Sequence, residues 1–390
     1  MSDPALMETY GRLPVAFTHG TGPWLYDTEG RAYLDALSGI AVCGLGHAHP
    51  RVAEAVARQA STLVHTSNLY RVPLQEALAE RLCARSGMDR VFFGNSGAEA
   101  NEAAIKLARL WGHRKGYKAP QIVVMEGAFH GRTLATLTAT GNRKVQAGFE
   151  PLLAGFVRAP YGDAEALATI AENQPEVVAV LVEPIQGEGG IVVPPAGYLE
   201  ALRAHCDAHG WLLMLDEVQT GAGRTGRLFC YQHSAVLPDV VTVAKGIANG
   251  FPIGACLARG EAAGVLGPGT HGSTFGGSPL ACAAAAATLD VLDDEDLCGR
   301  AEALGHRMRA GFEEALAGDN RVVGVRGLGL MIGIELADPA PDLVGRALAA
   351  GLLLNVTQER VVRLLPPLVL SDAEADDVVD RVVALIRDGV

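Results

Sequence analysis

The chain has 390 residues, 49% hydrophobic and 19% charged, enough to bury a full core and more than one module, so two or three domains are expected. Asp and Glu outnumber Lys and Arg by 44 to 32, a net charge of −12 with no basic run, which argues against a nucleic-acid partner. No apolar stretch approaches the ~20 residues that span a bilayer, and the segment around Glu8 lacks the apolar centre of a signal peptide; a soluble, cytoplasmic protein without membrane contact is expected.

Seven widely spaced cysteines, odd in number, fit neither a disulfide framework nor a C-x-x-C metal knuckle, and they read as reduced thiols with no metal. Beside an aromatic content of only 5% stand 47 glycines with no repeat to account for them, which points to backbone brought close to a ligand.

In chain order, Trp24-Leu-Tyr and Ala32-Tyr-Leu flank Asp27-Thr-Glu-Gly30, a hairpin with glycine where the turn needs a positive φ. Pro50 opens a helix whose Val52, Ala55, Val56, Gln59 and Leu63 fall mostly on one face. Short apolar runs then alternate with helical patterns at 91–93, 121–125, 177–182, 211–215, 240–244 and 253–257, the signature of βα units around a largely parallel sheet. Beyond about residue 280 the pattern changes to long helices with a few strands (322–325, 330–336, 361–365), a second and smaller α+β domain. Its last helix opens on a capping box of Ser371 and Glu374 and stops at Gly389.

Three ends of these apolar strands carry chemistry. Val91-Phe-Phe-Gly-Asn-Ser-Gly-Ala-Glu-Ala100 turns through small residues into a helix start capped by Ser96 and Glu99 as a capping box, where free N–H groups and the positive dipole end suit a phosphate; an ordinary capped helix has the same pattern. Trp211-Leu-Leu-Met-Leu-Asp216 places a carboxylate at a strand's carboxyl end, where it needs a cation from the protein or from a ligand. Val240-Val-Thr-Val-Ala-Lys245-Gly ends in a lone lysine, which desolvation would make nucleophilic and fit for a Schiff base; a solvated strand-end lysine is the plainer alternative. A phosphate cradle, a buried acid and a buried amine on one sheet edge describe a site for pyridoxal 5′-phosphate.

Leu181-Val-Glu-Pro-Ile-Gln-Gly-Glu-Gly-Gly190, Asp216-Glu-Val-Gln-Thr-Gly-Ala-Gly-Arg-Thr-Gly226, Ala244-Lys-Gly-Ile-Ala-Asn-Gly-Phe-Pro-Ile-Gly254 and His271-Gly-Ser-Thr-Phe-Gly-Gly277 resemble the class III, ornithine-type aminotransferases. Thr9-Tyr-Gly-Arg-Leu-Pro-Val15, Gly39-Ile-Ala-Val-Cys-Gly-Leu-Gly-His47, Asn95-Ser-Gly-Ala-Glu-Ala-Asn-Glu-Ala103 and Val362-Arg-Leu-Leu-Pro-Pro367 are most similar to the branch that acts on N-acetylornithine, and the similarity runs from about residue 7 to the end. One departure is Ser278, where that pattern has Asn before Pro279.

The resemblance implies an α/β, fold-type I pyridoxal-phosphate transferase with a mostly parallel seven-stranded sheet in its large domain and a small α+β domain. Residues 1–50 would join the small domain, 51–280 form the large cofactor domain and 281–390 the C-terminal small domain. It implies Lys245 as Schiff-base lysine and proton carrier and Asp216 on the pyridine nitrogen. Ser96, Gly97 and Ala98 would take the phosphate, Phe129 and Val218 the ring faces, and Gln219 the phenolic oxygen. Thr274 would reach the phosphate of the partner subunit's cofactor, so a homodimer with shared sites is implied. Substrate would meet Arg132, Glu183, Ser273 and Arg363, with Glu183 folding over Arg363 whenever no carboxylate lies there, while His130 is expected to support the site from behind Phe129.

The implied reaction moves the terminal amino group of N2-acetyl-L-ornithine to 2-oxoglutarate, giving N-acetyl-L-glutamate 5-semialdehyde and L-glutamate, in arginine biosynthesis. Ornithine, succinylornithine, 4-aminobutyrate or N-succinyl-diaminopimelate are the alternative donors. A reading of another class, a nicotinamide-dependent oxidoreductase, rests on Gly221-Ala-Gly-Arg-Thr-Gly226, but Arg227-Leu-Phe-Cys-Tyr231 follows where a dinucleotide fold needs a helix.

Overall fold

The computed structural model describes residues 5–389. Strands β1 (Phe17–Thr21), β2 (Trp24–Asp27) and β3 (Ala32–Asp35) form an antiparallel N-terminal sheet, and the expected hairpin is β2–β3, with Gly30 at a φ of +80°. The central sheet comprises β4 (Arg90–Gly94), β5 (Gln121–Met125), β6 (Phe156–Ala159), β7 (Val177–Val182), β8 (Leu212–Asp216), β9 (Val240–Val243) and β10 (Gly254–Ala258). Their spatial order is β4-β10-β9-β8-β7-β5-β6, parallel except for β10, which runs against both neighbours. A third sheet, in the order β11-β12-β15-β14, is built from β11 (Val322–Leu328), β12 (Met331–Leu336), β14 (Asn355–Thr357) and β15 (Val361–Leu364). The short β13 (Leu352–Leu353) leaves that region to pair in parallel with β3, tying the two ends of the chain together.

The central strands are apolar on both faces because helices cover both sides of a parallel sheet. In β8, Leu213 and Leu215 face one core cluster while Leu212 and Met214 face the other; β7 divides Val180 and Val182 from Ala179 and Leu181 in the same way. On the second side lies the helix Gly97–Arg114, whose buried stripe of Ala103, Ala104, Leu107 and Ala108 lets it sit close to the sheet. The sequence pattern misses β6 in the central sheet, as it misses β1, β13 and β14 outside it. β6 lies at the sheet edge and is interrupted by Arg158, whose guanidinium caps the free carbonyls of Thr138, Ala139 and Thr140 at the end of the helix Leu134–Ala139.

Local signals mostly hold. Pro50 opens Pro50–Ala60, and the capping box of Ser371 and Glu374 opens Asp372–Arg387. Two expectations are corrected. Leu63 lies beyond the first of these helices and is exposed. Ser96 caps Glu99 N–H at 3.2 Å, but the Glu99 carboxylate reaches back to Asn95, accepting from its amide at 2.6 Å and its side chain at 2.8 Å, so the reciprocal half of a capping box is absent.

Where β10 begins, Gly254 faces this capped turn so closely that a Cβ would stand 2.2 Å from the Ser96 carbonyl oxygen. Gly254→Ala is therefore expected to destabilise the fold by about 1–3 kcal/mol. Gly267→Ala, with nothing within 4 Å of its Cβ, should stay within ~0.5 kcal/mol of wild type. Denaturant midpoints of the two variants check this.

Candidate active site

The carboxyl ends of β8 and β9 and the start of Gly97–Arg114 enclose a cavity of about 360 Å³. Ligands of open α/β sheets gather at such an edge. Its lining brings together Ser96, Gly97, Ala98, Phe129, Arg132, Glu183, Asp216, Val218, Gln219 and Lys245 from segments distant in sequence.

Asp216 closes β8 and is buried. Its Oδ2 accepts from Asn101 Nδ2 at 2.7 Å and His130 Nδ1 at 2.8 Å, and its Oδ1 from the Val218 amide at 3.0 Å. Thr242 on β9 donates to Asn101 Oδ1 at 2.7 Å, which turns the Asn101 amine toward the carboxylate. Asn101 carries little signal in the sequence beyond being one polar residue in an otherwise small, apolar helix face. His130 takes the expected supporting position, and its Nε2 is buried without a partner among the described residues.

Lys245 follows β9 at a φ of +47°, a conformation that a residue with a Cβ rarely adopts and that here turns its amine into the cavity. Among the described residues its amine has no hydrogen-bond partner. Burial pushes its pKa down and nearby Arg363 adds to this, against the opposing pull of Glu188. Behind Phe129, Glu183 accepts the Phe129 amide at 2.9 Å on one oxygen and the Gly187 amide at 3.0 Å on the other. Burial raises its pKa to about 7. The Arg132 guanidinium stands 5.5 Å from the Phe129 ring centroid.

Here one expectation is corrected. The carboxylate on Arg363 is that of Glu188, at 2.6 Å, because Glu183 is spent on two backbone amides. Arg363 is fully buried on β15; Asn355 accepts from its Nε at 3.0 Å, and its Nη2 has no partner among the described residues. Ser273 and Thr274 lie outside the Lys245 cavity, in a neighbouring one with His271 and Lys106. The Ser273 hydroxyl is engaged by Asn95 and the Gly276 amide, while Thr274 is exposed.

Gly221–Gly226 forms no phosphate loop. Arg224 is buried there, donating to the carbonyls of Leu330 and Pro366, and its own carbonyl accepts from Leu330 N–H at 3.0 Å. Burial pulls its pKa down to about 9. The motif docks the third sheet onto the central one.

The cavity wall also includes Val42, brought there by a left-handed turn in which Ser38, Gly39, Ile40 and Ala41 all have φ between +52° and +67°. Asp35 holds this turn: Oδ1 accepts the amides of Leu37 and Ser38 at 2.9 and 2.8 Å, and Oδ2 meets His47 Nε2 at 2.8 Å.

Residues 6–386 match the family model "Aminotransferase class-III". An acetylornithine aminotransferase from Nitrosomonas europaea is 59% identical over 98% of this chain and 97% of its own. Among solved structures, the acetylornithine aminotransferase of Elizabethkingia anophelis superimposes with a TM-score of 0.90 at 38% identity, covering 98% of this chain and 96% of that one. The ornithine aminotransferase of Toxoplasma gondii, described with partial occupancy of PLP at its active site, gives 0.95 at 37% identity, over 99% and 92%. The chain belongs to the class III aminotransferases. It is a pyridoxal-phosphate-dependent enzyme with the fold-type I architecture, which sets aside the nicotinamide reading.

The residues present fit that cofactor. The Gln219 side-chain oxygen is buried with no partner among the described residues, as is His130 Nε2. A Cβ on Gly97 would stand 2.7 Å from Val218 Cγ1, so only glycine lets the helix start and the cavity wall approach this closely.

His47 links pH to this site. Its bond to Asp35, and then the Cys43 thiol, raise its pKa from 6.5 to about 9. A raised folded-state pKa gives stability that is complete below 6.5 and lost as pH rises through about 9. His47→Gln should lower stability near neutrality and flatten its fall from pH ~6.5 to ~9, read from urea midpoints across that range.

Proposed function

We propose that the chain catalyses the acetylornithine aminotransferase reaction, from N2-acetyl-L-ornithine and 2-oxoglutarate to N-acetyl-L-glutamate 5-semialdehyde and L-glutamate, in arginine biosynthesis. The observation that carries this is a pair of cationic positions, exposed Arg132 on the wall of the Lys245 cavity and buried Arg363 near enough to act electrostatically on Lys245; among the described residues only the second is covered by a carboxylate, Glu188. A site that takes a donor with one carboxylate and an acceptor with two needs one permanent and one concealable anion site.

Pyridoxal phosphate, when bound, supplies an aldehyde and an electron-withdrawing ring. Ser96, Gly97 and Ala98 would hold the phosphate at the start of an 18-residue helix. Asp216 would keep a proton on the ring nitrogen, with Asn101 and His130 orienting its carboxylate. Phe129 and Val218 would pack against the ring, and Gln219 would approach the phenolic oxygen. Lys245 takes the proton from the substrate carbon that bears the amine, the work for which a depressed pKa suits it. Arg132 binds the α-carboxylate of acetylornithine or the side-chain carboxylate of glutamate or 2-oxoglutarate. Arg363 binds the second carboxylate of glutamate or 2-oxoglutarate after Glu188 has turned away, and Glu188 covers it again for acetylornithine.

The chain acts as a homodimer. In support, Thr274 is exposed beside a patch of Phe275, Leu69 and Tyr70, 62%, 87% and 70% exposed, which suits a partner's surface and a contact to its cofactor phosphate. Ser273 anchors this segment through Asn68, which donates to the carbonyls of Ser273 and Gly276. Residues 51–280 serve as the cofactor domain and 281–390 as the small domain, joined by 1–50 through the pairing of β3 with β13. The compartment is the cytoplasm, in line with seven unpaired cysteines.

A panel of amino donors at matched concentration with 2-oxoglutarate tests the substrate; preference for ornithine, 4-aminobutyrate or a succinylated donor would overturn it. Lys245→Ala, which removes the amine that would hold the cofactor aldehyde, should abolish the visible absorbance band of the holoenzyme and lower kcat by about 10²–10⁴-fold. Glu188→Gln leaves Arg363 uncovered, so the ratio of kcat/KM for acetylornithine to that for glutamate should fall about tenfold, measured in separate half-reactions.

A further inference from the structure

The row of residues across the third sheet explains how a loop carboxylate can turn without its backbone following. In the strand register, Arg326 of β11 lies opposite Gly333 of β12, Gly333 opposite Arg363 of β15, and Arg363 opposite Asn355 of β14. Directly paired residues share a face, so both arginines stand on the same side of the sheet with a gap between them at Gly333. Ile191 fills that gap: a Cβ on Gly333 would come within 2.8 Å of Ile191 Cβ. The loop carrying Glu188 is thus keyed into the sheet.

Arg326 grips the same loop by its backbone. Its Nε donates to the carbonyls of Gly190 at 3.1 Å and Ile191 at 2.9 Å, and its Nη2 to Gly190 at 2.8 Å, while Glu335 holds its Nη1. At Glu188 itself, Thr357 and Gln358 donate to the backbone carbonyl at 2.6 and 2.9 Å, and just before it the Gly187 amide donates to Glu183 at 3.0 Å. No side chain but Arg363 bonds the Glu188 carboxylate among the described residues. The backbone is held at Gly187, Glu188, Gly190 and Ile191, and the side chain is held by one bond.

We infer that Arg326 is a positioning residue for substrate discrimination: by clamping the Gly190 and Ile191 carbonyls it fixes the point from which the Glu188 side chain swings on and off Arg363. This rests on the two-carboxylate reading of the preceding section and extends it to a residue that touches neither substrate nor cofactor. A guanidinium suits the task because its fork meets two successive carbonyls at once, which a lysine cannot do in the same geometry.

The experiment is a double-mutant cycle on the purified holoenzyme, reading kcat/KM of the acetylornithine and glutamate half-reactions separately. Arg326→Ala is expected to lower the acetylornithine-to-glutamate ratio roughly five- to tenfold, with Arg326→Lys recovering part of it. In a Glu188→Gln background, Arg326→Ala should leave the ratio unchanged. Equal losses in both half-reactions, or the same shift in ratio with and without Glu188, would overturn the inference and make Arg326 a general brace. A wild-type ratio in Glu188→Gln alone would overturn the discrimination reading itself, and this inference with it. Should Arg326→Ala fail to fold, Thr357→Val removes the hold on the Glu188 carbonyl and is expected to shift the ratio in the same direction, again only while Glu188 is present.

Discussion

A carboxylate removed from water at the end of a central strand must find donors for its oxygens or a cation to face, and much of this molecule is arranged around that requirement at Asp216. The donors come from three places: Asn101 one turn into the capped helix, His130 from the loop after β5, and the amide of Val218. Each in turn needs support. Thr242 orients Asn101, and Thr140 accepts the His130 amide at 3.0 Å, so the polar cluster ties β8, β9 and the helix at one edge. Charge held this way is set by the fold before any ligand arrives, which is what an electrostatic catalyst requires.

Arg363 is the mirror case. A fully buried guanidinium with one carboxylate and one amide oxygen is under-satisfied, and its spare Nη2 leaves room for an incoming anion. Because Glu188 comes from the central domain's loop and Arg363 from the third sheet, their meeting depends on how the two regions dock. Arg224, Arg326 and the left-handed turn of Gly329, pressed against Thr225, make that junction, so the meeting of Glu188 with Arg363 is set by contacts that include neither side chain.

Most of the central strands and the residues at their ends were readable because the relevant patterns are local. Apolar runs that stop at Asp216 or Lys245, and small residues that turn into a helix at Ser96, encode both the element and the place where its side chain emerges. β6 was hidden since an edge strand buries one flank only and tolerates Arg158. Glu99 shows the limit of a motif: its carboxylate has two amides within reach, and the strand it follows from places it on Asn95.

By itself the sequence determined the parallel core, the helix starts, and the placement of Asp216 and Lys245 at the ends of β8 and β9, because hydrophobic periodicity and capping act over a few residues. The tertiary structure alone decided which of Glu183 and Glu188 faces Arg363. Both carboxylates sit in one glycine-rich segment with equal claims in one dimension. The choice falls to Glu188 because two backbone amides occupy Glu183 and because Ile191, keyed over Gly333, swings the loop onto a sheet encoded far downstream.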